Sequence, residues 1–159
     1  MIPLQLRIAQ AEDAETILEM QKRAFMPLYE KYRDDETSPA TEGVERVRAR
    51  IADPASRYWF IIWDEKAVGA IRVQAIGQIC RISPIFVLPE YQGKGIAQQA
   101  MQLAEAQFPD AACWRLETIL QEKGNCHLYE KMGYVRVGEP KVINSRMTLI
   151  DYEKWMISE

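Results

Sequence analysis

The apolar positions change period once in the first fifty residues. Leu4, Leu6 and Ile8 alternate with polar neighbours, the period-two pattern of a half-buried strand. From Asp13, a natural helix cap, apolar residues fall at Ala14, Ile17, Leu18, Ala24, Phe25 and Leu28, which predicts a helix with one inward face. Pro27 either kinks or ends that helix, and the Tyr29–Pro39 stretch reads as a loop. Val44, Val47 and Ile51 predict a second helix, closed by the Asp53-Pro54 breaker.

The period then returns to two. "YWFIIW" (58–63) and "AVGAIRVQAI" (67–76) flank a "DEK" turn and predict a β-hairpin, with Gly77 ending its second arm. "ICRISPIFVL" predicts a third strand, in which Pro84 cannot donate to a ladder and so marks a bulge or an exposed edge. A helix follows and is broken at Pro109-Asp110, and "CWRLETIL" makes another strand. "NCHLYEKMGY" is a short helix stopped by Gly133, and "YVRVG" and "NSRMTLIDY" are two last strands. The order is strand, two helices, three strands, helix, strand, helix, two strands. Only the two later helices stand between strands as crossovers, so the expected fold is α/β (α+β), a mixed sheet covered by helices, in a single domain over residues 1–159.

Composition narrows the function. With 48% hydrophobic and 27% charged residues the 159-residue chain is ordinary globular material, and nothing approaches the roughly 18 apolar residues of a membrane span. The start "MIPLQLRIAQAED" lacks the basic head and apolar run of a secretory signal, so a cytoplasmic location and no membrane partner are expected. Cys80, Cys113 and Cys126 are odd in number and lack C-x-x-C spacing, which argues for reduced thiols and against a zinc site; no metal is expected. The lone histidine, His127, beside Cys126 reads as part of a helix face. A net charge of −3 without a basic cluster gives no support for a nucleic-acid partner. The acidic run "RDDETSP" (33–39) reads as a solvated loop in preference to a cation-attracting rim.

The stretch "FVLPEYQGKGIAQQAM" (86–101) carries the chemistry. A strand ends at Pro89 and a helix opens after two glycines. The first four N–H groups of a helix have no intrahelical partner, and the dipole leaves about half a positive charge there. Gly93 and Gly95 clear side chains from an approaching anion, and Lys94 adds a cation. The spacing is neither G-x-x-x-x-G-K-[ST] nor G-x-G-x-x-G, because position 98 is Gln. On spacing alone, a phosphate site and a plain strand-to-helix turn both remain open.

"LPEYQGKGIA" resembles the Q/R-x-x-G-x-G/A motif of the GNAT superfamily of N-acetyltransferases, with Gln92, Gly95 and Ala97 at its fixed positions. "LETILQEKGNCHLYEKMGY" is similar to the family's second segment through Leu116, Glu117, Leu128, Tyr129, Glu130, Gly133 and Tyr134. The resemblance implies a mostly antiparallel sheet of six to seven strands flanked by about four helices, splayed between the strands around 79–88 and 113–120. It implies acetyl-CoA as co-substrate, with the pyrophosphate on the amides of Gly93, Lys94, Gly95, Ile96, Ala97 and Gln98 beside Gln92. The pantetheine arm would lie along Ile85, Phe86 and Val87. The family often has Asn where this chain has Glu122. Asn125 either substitutes for it or caps the following helix, and the cap is the preferred reading.

An ammonium cannot attack a thioester until it loses a proton. Glu117 is the candidate base, with a salt-bridged strand carboxylate as the competing reading, and Tyr129 is the candidate hydrogen-bond donor to the leaving thiolate. The segment between the first two helices is implied to line the acceptor site. Tyr29 and Tyr32 would form an aromatic wall there, with Asp34 supplying charge. The acceptor is an amine, either a small molecule or a peptide, transferred to directly in a ternary complex. A non-catalytic acyl-CoA sensor is the alternative, and a homodimer is left open.

Overall fold

The computed structural model describes residues 3–156. Seven strands form one sheet in the order β1-β2-β3-β4-β5-β7-β6. They are β1 (Leu4–Ile8), β2 (Ser56–Trp63), β3 (Lys66–Ile76), β4 (Ile79–Val87), β5 (Cys113–Ile119), β6 (Val135–Val142) and β7 (Thr148–Trp155). Four helices flank it: α1 (Ala14–Tyr32), α2 (Val44–Ala52), α3 (Ile96–Ala106) and α4 (Lys123–Lys131). The element order is the one the periodicity predicts. Every neighbouring pair is antiparallel except β4 with β5, which are joined through α3 as a parallel crossover. The second crossover, β5–α4–β6, spans β7, which inserts between its two strands.

"YWFII" is continuously apolar because β2 is covered on both faces. Tyr58 and Phe60 meet Ala14, Ile17, Met20, Ala24 and Val47 of α1 and α2. Trp59 and Ile61 face the other way, into the core formed with Ile96, Ala100, Met101 and Ala104 of α3 and Cys126 and Tyr129 of α4. The β2–β3 connection is a two-residue turn at Asp64-Glu65, both with positive φ (52° and 63°). This left-handed pair matches the twist of a tight hairpin without using glycine.

Three boundaries differ from expectation. The first helix passes through Pro27 and ends at Tyr32, where Arg33 takes the left-handed conformation (φ 53°) and donates its N–H to Tyr29 O at 2.7 Å. A proline costs one helical hydrogen bond, and the buried face beyond it holds the helix on course. The connecting segment is correspondingly short and ordered. Its Asp34 is buried and accepts from Thr37 Oγ1 at 2.7 Å, and Ser38 caps a 3-10 turn at Pro39–Thr41 by accepting from the Ala40 N–H. The solvated loop read from "RDDETSP" therefore applies only to its exposed side chains. The helix read from "NCHLYEKMGY" begins two residues earlier, at Lys123, so Glu122 stands at the N-cap and Asn125 lies inside the first turn. The cap role preferred for Asn125 is thereby excluded.

Two features set the sheet's irregularities. In the β3–β4 register Ser83 and Pro84 together face Arg72 alone, the bulge expected from Pro84. Nearby, β3 approaches β4 so closely at Gly69 that a Cβ there would lie 2.1 Å from the Phe86 carbonyl oxygen. Gly69→Ala should destabilise the fold by about 2–3 kcal/mol, because backbone rather than a yielding side chain is in the way. Urea denaturation checks this, and an unchanged midpoint would show that β3 and β4 can part at no cost.

Candidate active site

β4 and β5 pair only over Ile79–Arg81 and Cys113–Arg115, and then separate. β4 stays bonded to β3 on its other edge, with Ile85, Phe86 and Val87 opposite Ile71, Ala70 and Gly69. Leu88 donates its N–H to Val68 O, so alternate residues along this stretch turn their backbone groups toward β3. By the same alternation Ile85 and Val87 turn theirs toward the gap. Gln92 Nε2 donates to Val87 O at 2.9 Å and ties the following turn to the strand end.

That turn presents unpaired backbone donors. Gly93 and Gly95 have φ of 77° and 76°, the left-handed region, and Gly95 is the N-cap of α3. Among the described residues none of the N–H groups of 93–98 has a protein acceptor; those of Ile96, Ala97 and Gln98 are first-turn donors of α3. Lys94 is exposed beside them, and Ile96 anchors the helix start in the core. A row of amides without protein acceptors at a helix start carries partial positive charge toward the open end of the gap.

The gap between the parted strands opens into a cavity of about 270 Å³, lined from β4 by Ile85, from β5 by Glu117 and Thr118, and from α4 by Asn125 and Tyr129. Phe25, Leu28 and Asp34 close it from the α1 side. The Tyr129 ring is buried among Tyr134 and Tyr152, at centroid distances of 6.3 and 6.0 Å. Burial, with a smaller contribution from Cys126, pushes its phenol up to about 12. It is therefore a hydrogen-bond donor at any physiological pH. Glu117 also faces this cavity, but Lys141 of β6 donates to its Oε2 at 2.8 Å, with Asp151 of β7 3.4 Å from the same ammonium. The salt-bridged reading of Glu117 describes the geometry, without removing the residue from the site.

The acceptor-side residues divide. Asp34 lines the cavity, whereas Tyr29 donates to Asp35 and carries Arg33 over its ring, and Tyr32 is buried with its hydroxyl donating to Glu122. Neither ring lines the cavity, so no aromatic wall forms from that pair among the described residues. Helix geometry explains this. Tyr32 lies on the inward face at the last position of α1, and Tyr29 on the side beyond it. Residues the sequence did not point to are Phe25, Leu28 and Lys141. The first two look like plain helix-core positions, and Lys141 meets Glu117 only through strand pairing across β7. Cys126 and His127 share α4 as a helix-face pair, Cys126 buried and His127 exposed. Among the described residues no group of three or more metal-ligating side chains occurs, and no helix is long and apolar enough to cross a membrane.

A mixed sheet parted between two parallel strands, with a left-handed turn and a row of free amides at the mouth of the parting, is the arrangement the structure presents. The chain belongs to the acetyltransferase (GNAT) family, whose sequence pattern matches residues 15–134. This is the family the motifs indicated, and its class of activity is acetyl-CoA-dependent N-acetylation. The chain is 28% identical over 138 residues to the uncharacterized protein YrkN of Bacillus subtilis, covering 77% of this chain and 74% of that one. It is 25% identical over 141 residues to the spermidine N(1)-acetyltransferase of Escherichia coli, covering 86% and 75%. Its fold is similar to that of the spermidine N-acetyltransferase of Vibrio cholerae solved with CoA and spermine, with TM-score 0.74, 22% identity and 96% and 95% of the two chains covered. It is also similar to the PaiA N-acetyltransferase of Thermoplasma acidophilum solved with coenzyme A, with TM-score 0.73, 16% identity and 97% and 99% covered.

The Tyr129 environment gives a direct test. A phenol whose folded pKa is raised above the unfolded value of 10 contributes stability that is fully present below pH 10 and lost as pH rises toward 12. The difference in tyrosinate absorbance between the protein and Tyr129→Phe should stay flat up to about pH 11. Ionisation of this residue near pH 10 would mean that its ring is not dry.

Proposed function

We propose that the protein moves an acetyl group from acetyl-CoA directly to a primary amine bound in the same complex, and that the acceptor is a small polyamine-like cation. The observation that carries this reading is the parting of β4 from β5 with free amides at one end and Tyr129 and Glu117 along it. The pyrophosphate is assigned to the amides of residues 93–98, with Lys94 and Gln92 beside them. The pantetheine amides are assigned to the unpaired edge of Ile85 to Val87, where one extended arm replaces the missing strand pairing. Asn125, inside the first turn of α4 and facing the cavity, is the side-chain amide nearest in kind to the family's Asn.

The amine enters from the Asp34 side. Its nitrogen gives up a proton and attacks the thioester carbon, the tetrahedral centre collapses with loss of the second nitrogen proton to solvent or to the departing sulfur, and the C–S bond breaks to leave a neutral amide and CoA as thiolate or thiol. Tyr129 donates a hydrogen bond to that sulfur. Its phenol near 12 is a far weaker acid than a thiol near 8.5, so it stabilises the thiolate without giving up the proton. Glu117 is assigned the ammonium proton, directly or through a water. Glu117 already accepts from Lys141, and the Lys141 ammonium can turn to Asp151 as the proton arrives. Support for a polyamine-like acceptor is the buried Asp34 carboxylate in the cavity wall together with the spermidine acetyltransferases among the relatives. A sensor that binds acyl-CoA without turnover would have no use for either Glu117 or Tyr129.

Release of free thiol from acetyl-CoA with an amine panel that includes spermidine tests the reaction. Tight acetyl-CoA binding with no thiol release for any amine would favour the sensor. For the coenzyme half, Gly95→Glu and Gly95→Ala share the same φ strain, and the space is open because a Cβ would meet only Gln99 Nε2, at 4.0 Å. Gly95→Glu should raise the CoA dissociation constant at least tenfold over Gly95→Ala, about 1.4 kcal/mol. Equal affinities, measured calorimetrically, would move the pyrophosphate elsewhere.

For the reaction half, kcat/KM should be followed from about pH 6 to 9.5. Glu117→Gln should lose most activity near neutral pH and recover in part as pH rises and more amine is neutral. Tyr129→Phe should be slow throughout, because its defect lies at the leaving sulfur. Parallel profiles would mean that the two roles are wrongly divided.

A further inference from the structure

Glu122 stands where the family pattern often has Asn, yet its carboxylate turns away from the coenzyme side of the gap. Its Oε2 accepts from the Tyr32 hydroxyl and from Lys31 Nζ, the latter at 2.9 Å. These partners lie about ninety positions earlier, on the last turn of α1. Tyr32 is buried, and its carbonyl, one of the unpaired acceptors at the end of α1, takes a hydrogen bond from Asn144 Nδ2 at 2.9 Å. Asn144 is itself fixed, since its Oδ1 accepts from the N–H groups of Arg146 and Met147 at 2.8 and 2.9 Å. The end of α1 is thus held by the β5–α4 connector through Glu122 and by the β6–β7 connector through Asn144.

Only one residue separates Tyr32 from Asp34. Asp34 lines the cavity, and its carbonyl receives the N–H groups of Thr37 and Ser38 at 3.1 and 2.9 Å. The position of the Asp34 turn is therefore an extension of where Tyr32 is pinned. Glu122, in turn, is the N-cap residue of α4, the helix that carries Tyr129 about two turns on.

We infer that Glu122 is a positioning residue that locks the acceptor-side turn around Asp34 to the helix bearing Tyr129, and that it makes no contact with the coenzyme. The Tyr32 hydroxyl is its main partner, because that group is buried, while Lys31 is largely exposed and adds little. Although burial alone would raise the Glu122 carboxyl, the hydrogen bonds from Tyr32 and Lys31 outweigh it and hold the group below the usual carboxylate range, so the lock is charged at neutral pH. The catalytic part of this inference rests on the proposed amine acetylation, and the structural part does not.

The test is amide hydrogen exchange on the full chain, paired with steady-state kinetics using spermidine as the acceptor probe. Glu122→Ala and Tyr32→Phe should each speed exchange at Thr37 and Ser38 at least fivefold, while the amides of α4 and the acetyl-CoA dissociation constant stay within twofold. The spermidine KM should rise at least fivefold with kcat little changed. Glu122→Gln keeps an oxygen that can accept from Tyr32 and should restore most of both losses. A rise in the acetyl-CoA dissociation constant would return Glu122 to the coenzyme site and overturn the inference. So would exchange that is unchanged at 37–38, or that rises evenly across the fold as for a plain structural brace. If no amine is acetylated and the local exchange pattern still appears, the lock stands and the proposed reaction falls.

Discussion

The molecule is organised around one unmade interaction, the ladder that β4 and β5 begin over three residues and then abandon. Leaving strand edges unpaired in an interior costs free energy unless something takes up the exposed groups. Part of that cost is met locally, by Gln92 reaching back to Val87 O. The gap keeps its width because each lip belongs to a separate stiff half-sheet. β4 is backed by β3, β2 and β1, and β5 by β7 and β6. On the proposed reading, the remaining unpaired edge is completed only when the pantetheine arm lies against it.

The same parting accounts for the electrostatics of the site. At the mouth the free amides of the α3 start favour an anion, whereas the α1 side offers the buried Asp34 carboxylate, which favours a cation. Between these poles Tyr129 sits in a nest of aromatic rings dry enough to keep its phenol protonated. A coenzyme carrying phosphates and an acceptor carrying ammonium groups would be drawn to opposite ends, with their reactive atoms meeting near the tyrosine. In the Glu117–Lys141–Asp151 cluster the one ammonium offsets only one of the two carboxylates, so the middle of the cavity keeps a negative balance that favours a cationic acceptor.

Much of the fold was legible in the sequence, because the signals involved are local. Periods of two and 3.6, the Asp53-Pro54 break and Gly133 determine where elements begin and end, and Pro84 marked the bulge. The turn before α3 was legible for the same reason. It is made of backbone amides and two glycines inside a dozen consecutive residues, and a motif can record that. The misreadings arose where tertiary burial overrode a local signal. Pro27 looked like a kink or a helix end, but the inward face continues to Tyr32. Asn125 looked like a cap, but the helix begins two residues earlier. Tyr29 and Tyr32 looked like a pair, but helix geometry sends one into the core and the other toward Asp35.

The acceptor half was illegible for a different reason: its contacts join segments that share no sequence neighbourhood. Tyr32 meets Glu122 across 90 positions and Asn144 across 112, and Lys141 reaches Glu117 only because β7 lies between their strands. Such contacts are made of side chains, each replaceable without touching the backbone geometry of the anion turn. On the proposed reading, a scaffold divided in this way can change the amine it accepts by altering a few residues on α1, the β5–α4 connector and β6. The amides of 93–98 are set by two left-handed glycines and the anchored start of α3, and would be unaffected. The separation follows from building one subsite out of main chain and the other out of side chains.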